Sequence, residues 1–235
     1  MAAETEKPTP VEPPPDVCAP LPPPPAVSDN RTKVLVVAGP VGAGKTSLIN
    51  ALVASRPPAE RWAVLVNDVG ESNVEQSQDL AVQQLLGACV CCTGSGVPLR
   101  TTLVRLLRRP KPVRLIVELS TLGKPADLAT VMKRDFEKNA VLESIITVVP
   151  GMEAHADIWP ASEPYRSQVQ EASLLLLMQG SESQVVEFND GLAKLEPKPH
   201  MEDKPVLPLP RPKGGPVQLD DSLLQKLLGT AQAAA

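Results

Sequence analysis

Short apolar runs alternate along the chain with stretches in which apolar residues recur every three or four positions. The runs are rich in Val, Leu and Ile, which is typical of strands buried on both faces of a sheet. They lie at 33–38, 62–66, 113–117, 144–149 and 173–178. Helical spacing occurs at 47–54, 98–109, 126–138, 164–172 and 184–195. Strands and helices that alternate in this way predict an α/β fold of three layers, with a mostly parallel sheet covered by helices on both faces.

Proline is concentrated towards the two ends of the sequence. Ten of the 27 prolines lie in residues 1–25 and seven in residues 197–216. Such segments favour extended or disordered chain rather than a packed core. We therefore predict a disordered tail at 1–30, a compact domain at 31–196, a proline-rich linker at 197–218, and a short amphipathic helix with a tail at 219–235.

Charge and composition exclude several classes of protein. The net charge is −4 and the 235 residues include only five aromatic side chains, so neither a basic face nor stacking platforms for nucleic acid are expected. No apolar run reaches the 18 residues of a membrane span, and the acidic, proline-rich start differs from a secretory signal. We expect a cytoplasmic protein that binds neither nucleic acid nor membrane.

A glycine-rich loop carries the strongest functional signal. Residues 39–46 read GPVGAGKT and fit the pattern G-x-x-x-x-G-K-[ST] between a predicted strand and a predicted helix. Glycines let backbone amides turn towards phosphate oxygens, Lys45 would reach the terminal phosphates, and Thr46 would hold Mg²⁺. The pattern predicts a P-loop NTPase fold. The nucleotide-binding candidates are Gly39, Gly42, Ala43, Gly44, Lys45, Thr46 and Ser47.

Carboxylates follow two of the predicted strands. Glu118 comes directly after the run 113–117, and Asp68 and Glu71 come after the run 62–66. The carboxyl ends of parallel strands meet at one edge of the sheet, where ligands bind in this class of fold. Phosphoryl transfer needs a carboxylate near the metal and a group that orients water. Lys45, Glu118 and Asp68 are therefore the catalytic candidates.

Three of the four cysteines lie within four residues, at Cys89, Cys91 and Cys92. Thiolates are soft ligands suited to Zn²⁺, which takes four donors. Glu71, a histidine or water would complete the set, and an incomplete local set favours a transferable metal over a closed structural site. Redox-active or simply buried thiols are the alternative interpretation.

The phosphate loop, NDVGE at 67–71, GACVCC at 87–92 and ELSTLGKPADL at 118–128 together resemble the CobW-like GTPases, relatives of the urease and hydrogenase accessory GTPases. The resemblance implies GTP-dependent handling of zinc or cobalt, a client metalloprotein and a nucleotide-dependent homodimer. By position, Cys89, Cys91, Cys92 and Glu71 correspond to zinc ligands, and Thr46 and Glu118 to the magnesium site.

The sequence departs from that family pattern in three places. Thr121 stands where the family has the glycine of E-T-T-G, and Ala88 replaces a glycine before the first cysteine. The guanine-reading N-K-x-D is replaced by MQGSE at 178–182, so ATP is not excluded. Three functions stay open: a slow GTPase that transfers metal, a non-hydrolysing regulatory module, and an unrelated P-loop kinase or ATPase with redox cysteines.

Overall fold

A seven-stranded parallel sheet organises the chain in the computed structural model, which describes residues 29–67, 74, 79–85, 97–108, 111–151, 162–193, 204–209, 211 and 215–228. The strands are β1 (Thr32–Ala38), β2 (Trp62–Val66), β3 (Leu80–Gln84), β4 (Arg114–Glu118), β5 (Ala140–Pro150), β6 (Leu174–Met178) and β7 (Val206–Leu209). The helices are α1 (Lys45–Ala54), α2 (Val97–Leu107), α3 (Pro125–Phe136), α4 (Glu163–Glu171), α5 (Glu182–Ala193) and α6 (Asp221–Leu228). In the sheet the strands lie in the order β3-β2-β4-β1-β5-β6-β7.

The two faces of the sheet bury alternate side chains of the central strands. In β1, Leu35 and Val37 pack with residues of α1 and α6, whereas Val34 and Val36 pack with residues of α2 and α3. A third apolar cluster joins Leu175 and Leu177 of β6 to residues of α4 and α5. Helices therefore cover both faces, and the predicted three-layer α/β fold with a parallel sheet is confirmed.

The elements predicted from apolar runs are present, and β5 begins earlier than its run because residues 140–142 pair with residues 32–34 of β1. Two strands were not predicted. One is β3, which pairs with β2. The other is β7, which pairs with β6 and lies inside the segment expected to be a linker. Leu209 of β7 is fully buried. The prediction of a linker throughout 197–218 is therefore wrong at β7, because paired and buried apolar residues outweigh the high local content of proline.

The structure describes only parts of the two terminal segments. Residues 1–28 and 229–235 lie outside it, so the predicted tails are not described. The short helix predicted within 219–235 is present as α6. None of the helices described is long and apolar enough to cross a bilayer.

Candidate functional site

The phosphate loop connects the end of β1 to the start of α1 at the carboxyl edge of the sheet. Its first residue, Gly39, has φ 141°, and a Cβ added there would lie 2.3 Å from the backbone oxygen of Val148 in β5. At the other end Gly44 has φ 96° and precedes the first residue of α1. Both positions need glycine, since L side chains avoid these backbone conformations and the first has no room for one.

Lys45 is the buried cation of this loop. Only 4% of the residue is exposed, and its Nζ donates to the carbonyl oxygens of Gly39 at 3.2 Å and Pro40 at 3.1 Å. Its ammonium group therefore lies against the loop rather than in solvent. The first turn of α1 contains no acidic residue, and no side chain caps it. A helix N-terminus and a buried ammonium on one loop make a site suited to an anion.

Thr46 and Glu118 are brought together from positions 72 residues apart. Thr46 Oγ1 donates to Glu118 Oε1 at 2.8 Å, and Glu118 is fully buried at the end of β4. In the sheet this carboxylate lies beside Val37 of β1 and Val66 of β2. A hydroxyl and a carboxylate are hard oxygen donors, which fit Mg²⁺. The two residues predicted for magnesium are thus adjacent, and their role as ligands stays a prediction.

Gln168 is a site residue that sequence reasoning missed. It is fully buried on α4, and its Oε1 accepts a hydrogen bond from the Gly39 amide at 3.0 Å. Its Nε2 donates to the carbonyl oxygens of Ser120 and Thr121 at 3.1 Å and of Gly123 at 2.8 Å. One side chain therefore joins the phosphate loop to the loop between β4 and α3. The available signal was a polar residue on the same helical face as the apolar Tyr165 and Val169.

An exposed ion pair joins α4 to the segment between β4 and α3 at a second point. Lys124, which precedes α3, donates to Glu163 at the start of α4 at 2.7 Å. The hydrogen bond raises the pKa of Lys124 and lowers the pKa of Glu163. Both groups are therefore charged at neutral pH, and α4 is joined to the β4–α3 segment at two separate points.

The segment after β6 folds as a helix cap. Ser181 Oγ accepts from the Gln184 amide at 3.3 Å, and Gln184 Oε1 accepts from the Ser181 amide at 2.8 Å, which is a reciprocal capping box at the start of α5. The side chain of Met178 lies against Gly44 of the phosphate loop. Gln179 adopts a left-handed φ of 60°. The Met178 thioether at the end of β6 therefore faces the phosphate loop, and the Ser181 hydroxyl caps α5.

The remaining predicted site residues lie outside the described residues. They are Asp68, Glu71, Cys89, Cys91 and Cys92. All the phosphate-loop candidates are described, including Gly42 at φ 76°, the buried Ala43 and the half-buried Ser47. The structure therefore brings the phosphate-loop candidates, Thr46 and Glu118 together, while the roles of all the predicted site residues, in nucleotide, magnesium and zinc binding, stay predictions.

Two curated relatives carry names connected with zinc. The chain is 35% identical over 105 residues to the zinc chaperone YeiR of Escherichia coli strain K12, a match that covers 43% of this chain and 32% of YeiR. It is 27% identical over 128 residues to the zinc-regulated GTPase metalloprotein activator 1 of Schizosaccharomyces pombe, which covers 49% of this chain and 31% of that protein. The matched segments thus span about a third of each curated relative.

Solved structures show the same fold. The Zn(II)-bound YjiA GTPase of E. coli superposes with a TM-score of 0.56 at 18% identity, covering 83% of this chain and 61% of YjiA. The hydrogenase maturation factor HypB of Archaeoglobus fulgidus gives a TM-score of 0.52 at 14% identity, covering 85% of this chain and 90% of HypB. The family description "CobW/HypB/UreG, nucleotide-binding domain" matches residues 33–192, well over half of the chain. With the phosphate loop and its Thr46–Glu118 pair in place, the chain belongs to the CobW/HypB/UreG family of nucleotide-binding domains.

Proposed function

We propose that this chain binds GTP with Mg²⁺ at the phosphate loop, hydrolyses it slowly, and couples the nucleotide's state to the binding and transfer of zinc. Zinc would be cargo, held by Cys89, Cys91 and Cys92 with Glu71 as a further donor, and cobalt is a second candidate for that cargo. A client metalloprotein would receive the ion, and two copies of the chain would associate when nucleotide is bound.

The observation that carries the nucleotide half is the pairing of Thr46 with Glu118 beside a buried lysine. The Thr46 hydroxyl and the Glu118 carboxylate lie 2.8 Å apart, and the Lys45 ammonium lies against the same loop. A magnesium ion at the pair would neutralise charge on the phosphates. Lys45 would balance charge that develops on the terminal phosphate, and Asp68 would orient the attacking water.

The expected turnover is slow. In the described part of the site the cation bonded to the phosphate loop is Lys45, a lysine rather than an arginine. P-loop GTPases without an added arginine turn over at rates on the order of 10⁻⁴ to 10⁻³ per second. A slow hydrolase suits a switch, because the triphosphate state then lasts long enough for a metal to be loaded or delivered.

Support for zinc comes from the cysteines and from the names of the relatives. Thiolates bind Zn²⁺ strongly, and three within four residues supply most of a tetrahedral set. One relative is a zinc chaperone, and another is a zinc-regulated GTPase metalloprotein activator. Since the match covers about a third of each, the transfer of their activities to this chain is part of the proposal.

The segment after β6 favours a second function, a regulatory module that binds nucleotide without hydrolysing it. The Ser181 hydroxyl caps α5, and the Met178 thioether lies against Gly44 of the phosphate loop, in the segment that replaces N-K-x-D. Thr121 stands at the glycine position of the family pattern, and among the described side chains its Oγ1 is buried without a hydrogen-bond partner. The segment after β6 replaces residues that would recognise the base, and Thr121 replaces a residue that would lie near the terminal phosphate.

A binding titration with GTP and with ATP, in Mg²⁺, with and without one equivalent of Zn²⁺, tests the proposal. We expect preferential GTP binding that changes with zinc, and slow phosphate release. Lys45→Ala should abolish the thermal shift caused by nucleotide, because it removes the buried ammonium, whereas Lys133→Ala on the exposed face of α3 should preserve it.

The outcomes separate the two functions and the two halves of the site. Tight binding without turnover would favour the regulatory module, and no binding would refute the nucleotide half. Joint replacement of Cys89, Cys91 and Cys92 by Ser should remove stoichiometric zinc and leave nucleotide affinity roughly unchanged. Zinc retained at one ion per chain in that variant would place the ligands elsewhere.

A further inference from the structure

Gln168 contacts a second loop as well as the phosphate loop, so holding the phosphate loop is not its whole role. Its carboxamide is fully buried and contacts two loops that are far apart in sequence, at Gly39 and at residues 120–123. The amide orientation is fixed by its surroundings, since the oxygen faces an N–H donor and the nitrogen faces carbonyl oxygens. Glutamine is therefore required here, because a glutamate would place a second acceptor against carbonyl oxygens.

The hydrogen bond to Gly39 indicates that the two ends of the phosphate loop have different roles. The Gly39 amide donates to Gln168 at 3.0 Å, so it anchors the loop rather than facing a phosphate. Contacts to a phosphate would therefore come from later in the loop, where the chain enters the N-terminus of α1. Gln168 thus fixes the start of the loop against α4 while the end of the loop forms the anion site.

The other contacts of Gln168 lie just beyond the magnesium pair. Glu118 accepts from Thr46, and two residues later the chain enters the segment whose carbonyl oxygens at Ser120, Thr121 and Gly123 converge on Nε2. A change at the terminal phosphate would reach Glu118 first and this segment next. The segment can respond as a unit only while it is held beside the phosphate loop.

Helix α4 is itself held firmly on the sheet. The Thr147 hydroxyl of β5 donates to the Gln168 backbone oxygen at 2.7 Å, and Val169 is buried in the cluster with β6. The Lys124–Glu163 ion pair supplies the second tie between α4 and the end of the β4–α3 segment. The carboxamide therefore projects from a rigid support.

We propose that Gln168 is a positioning residue that holds the Ser120–Gly123 segment beside the phosphate loop and thereby sets the preference for a nucleoside triphosphate over a diphosphate. This inference rests on the proposed nucleotide binding and adds a specific residue to it. It assigns to α4 the role of linking the terminal-phosphate side of the site to the helical layer.

The test compares Gln168→Glu with Gln170→Glu, which makes the same chemical change on the same helix at an exposed position. A glutamate at 168 keeps the acceptor for the Gly39 amide and loses both donors to the segment. We expect its affinity for a non-hydrolysable GTP analogue with Mg²⁺ to fall at least tenfold and its affinity for GDP to change less than threefold. Gln170→Glu should change neither affinity.

The ratio of the two affinities distinguishes positioning from mere support of the fold. Equal losses of affinity for the analogue and for GDP would mean that Gln168 only stabilises the domain. Unchanged affinities would mean that its contacts do not affect nucleotide binding. Either result would overturn this inference and leave the proposed nucleotide binding standing. If the unaltered chain binds no nucleotide, the proposed function fails and the inference fails with it.

Hydrogen exchange on the unaltered protein gives a second measurement should Gln168→Glu not fold. We expect the amides of residues 120–124 to be protected more strongly by the GTP analogue than by GDP, with the Gly39 amide protected equally in both. The same protection of residues 120–124 by the two nucleotides would overturn the inference.

Discussion

At the scale of single residues, the phosphate loop depends on how closely Gly39 approaches β5. The position combines a φ of 141° with a Val148 carbonyl oxygen 2.3 Å from where a Cβ would lie. Gly42 offers a contrast within the same loop, because it has φ 76° but no atom within 4 Å of the place a Cβ would take. One glycine is needed for both space and conformation, and the other for conformation alone.

Gly39→Ala and Gly42→Ala should therefore differ in stability. For Gly39→Ala we expect the free energy of unfolding to fall by about 3 kcal/mol or more, because a strained backbone costs about 1–3 kcal/mol and the clash is with main chain that cannot rotate away. Gly42→Ala should cost about 1 kcal/mol, the usual penalty of a left-handed L-residue. Urea unfolding at equilibrium measures both, and equal losses would contradict the assignment of the close contact.

Residues of the site differ in how far their partners lie along the chain, and that decides which were predictable. Lys45 and Thr46 belong to a local pattern, and Glu118 ends an obvious strand, so sequence alone proposed them. Gln168 bonds to Gly39, 129 residues away, and to residues 45 to 48 positions away, which no local pattern encodes. Only the packing of α4 brings these groups together.

At the scale of elements, the strands that were predicted are those buried on both faces. β2, β4 and β6 are buried at every position and read as continuous apolar runs. β3 is exposed on one side, and its sequence LAVQQ ends in two glutamines. β7 contains Pro208, which edge strands tolerate because no ladder hydrogen bond is needed on the open side. Edge strands carry a weaker signal, so the sheet was predicted at its centre and missed at both edges.

At the edge of the sheet opposite the phosphate loop, Arg114 joins α6 to β4. Its guanidinium donates to the Leu228 carbonyl oxygen at 2.8 Å, at the end of α6, and to the Glu143 carboxylate of β5. It also lies over the Trp62 ring at 5.5 Å from the centroid. Glu143 has a second partner in Lys33 at 3.0 Å. The buried Arg114 side chain thus donates to the C-terminus of α6, forms an ion pair with Glu143 and packs over the aromatic ring of Trp62.

Arg114→Met should loosen α6 while leaving the sheet intact. We expect a loss of about 2–3 kcal/mol in unfolding free energy, below the roughly 3–5 kcal/mol typical of a broken buried pair because Lys33 still faces Glu143. Exchange of the α6 amides should rise more than that of β1. The matched change is Arg134→Met, whose exposed pair with Asp135 should contribute less than about 1 kcal/mol. Equal losses in the two variants would contradict this role.

At the scale of the whole molecule, β7 and α6 complete the core that supports the site. Leu209, Val217, Leu227 and Leu228 are buried in the same cluster as Leu48 and Leu52 of α1, the helix that begins at the phosphate loop. Burying each such side chain stabilises by roughly 1.5–3 kcal/mol, so the four together supply about 6–12 kcal/mol. That is comparable to the roughly 5–15 kcal/mol net stability of a typical domain.

A chain that ends at residue 196, the predicted domain boundary, should therefore fail to fold cooperatively, whereas one that ends at residue 228 should unfold like the full chain. The shorter chain would lose β7 and α6 and leave β6 as an open edge with an uncovered apolar face, which favours aggregation. Urea unfolding followed by circular dichroism, together with the oligomeric state in solution, measures the difference. An unchanged unfolding midpoint in the chain that ends at 196 would show that the nucleotide-binding core stands without these elements, and the boundary predicted from proline content would then be the physical one.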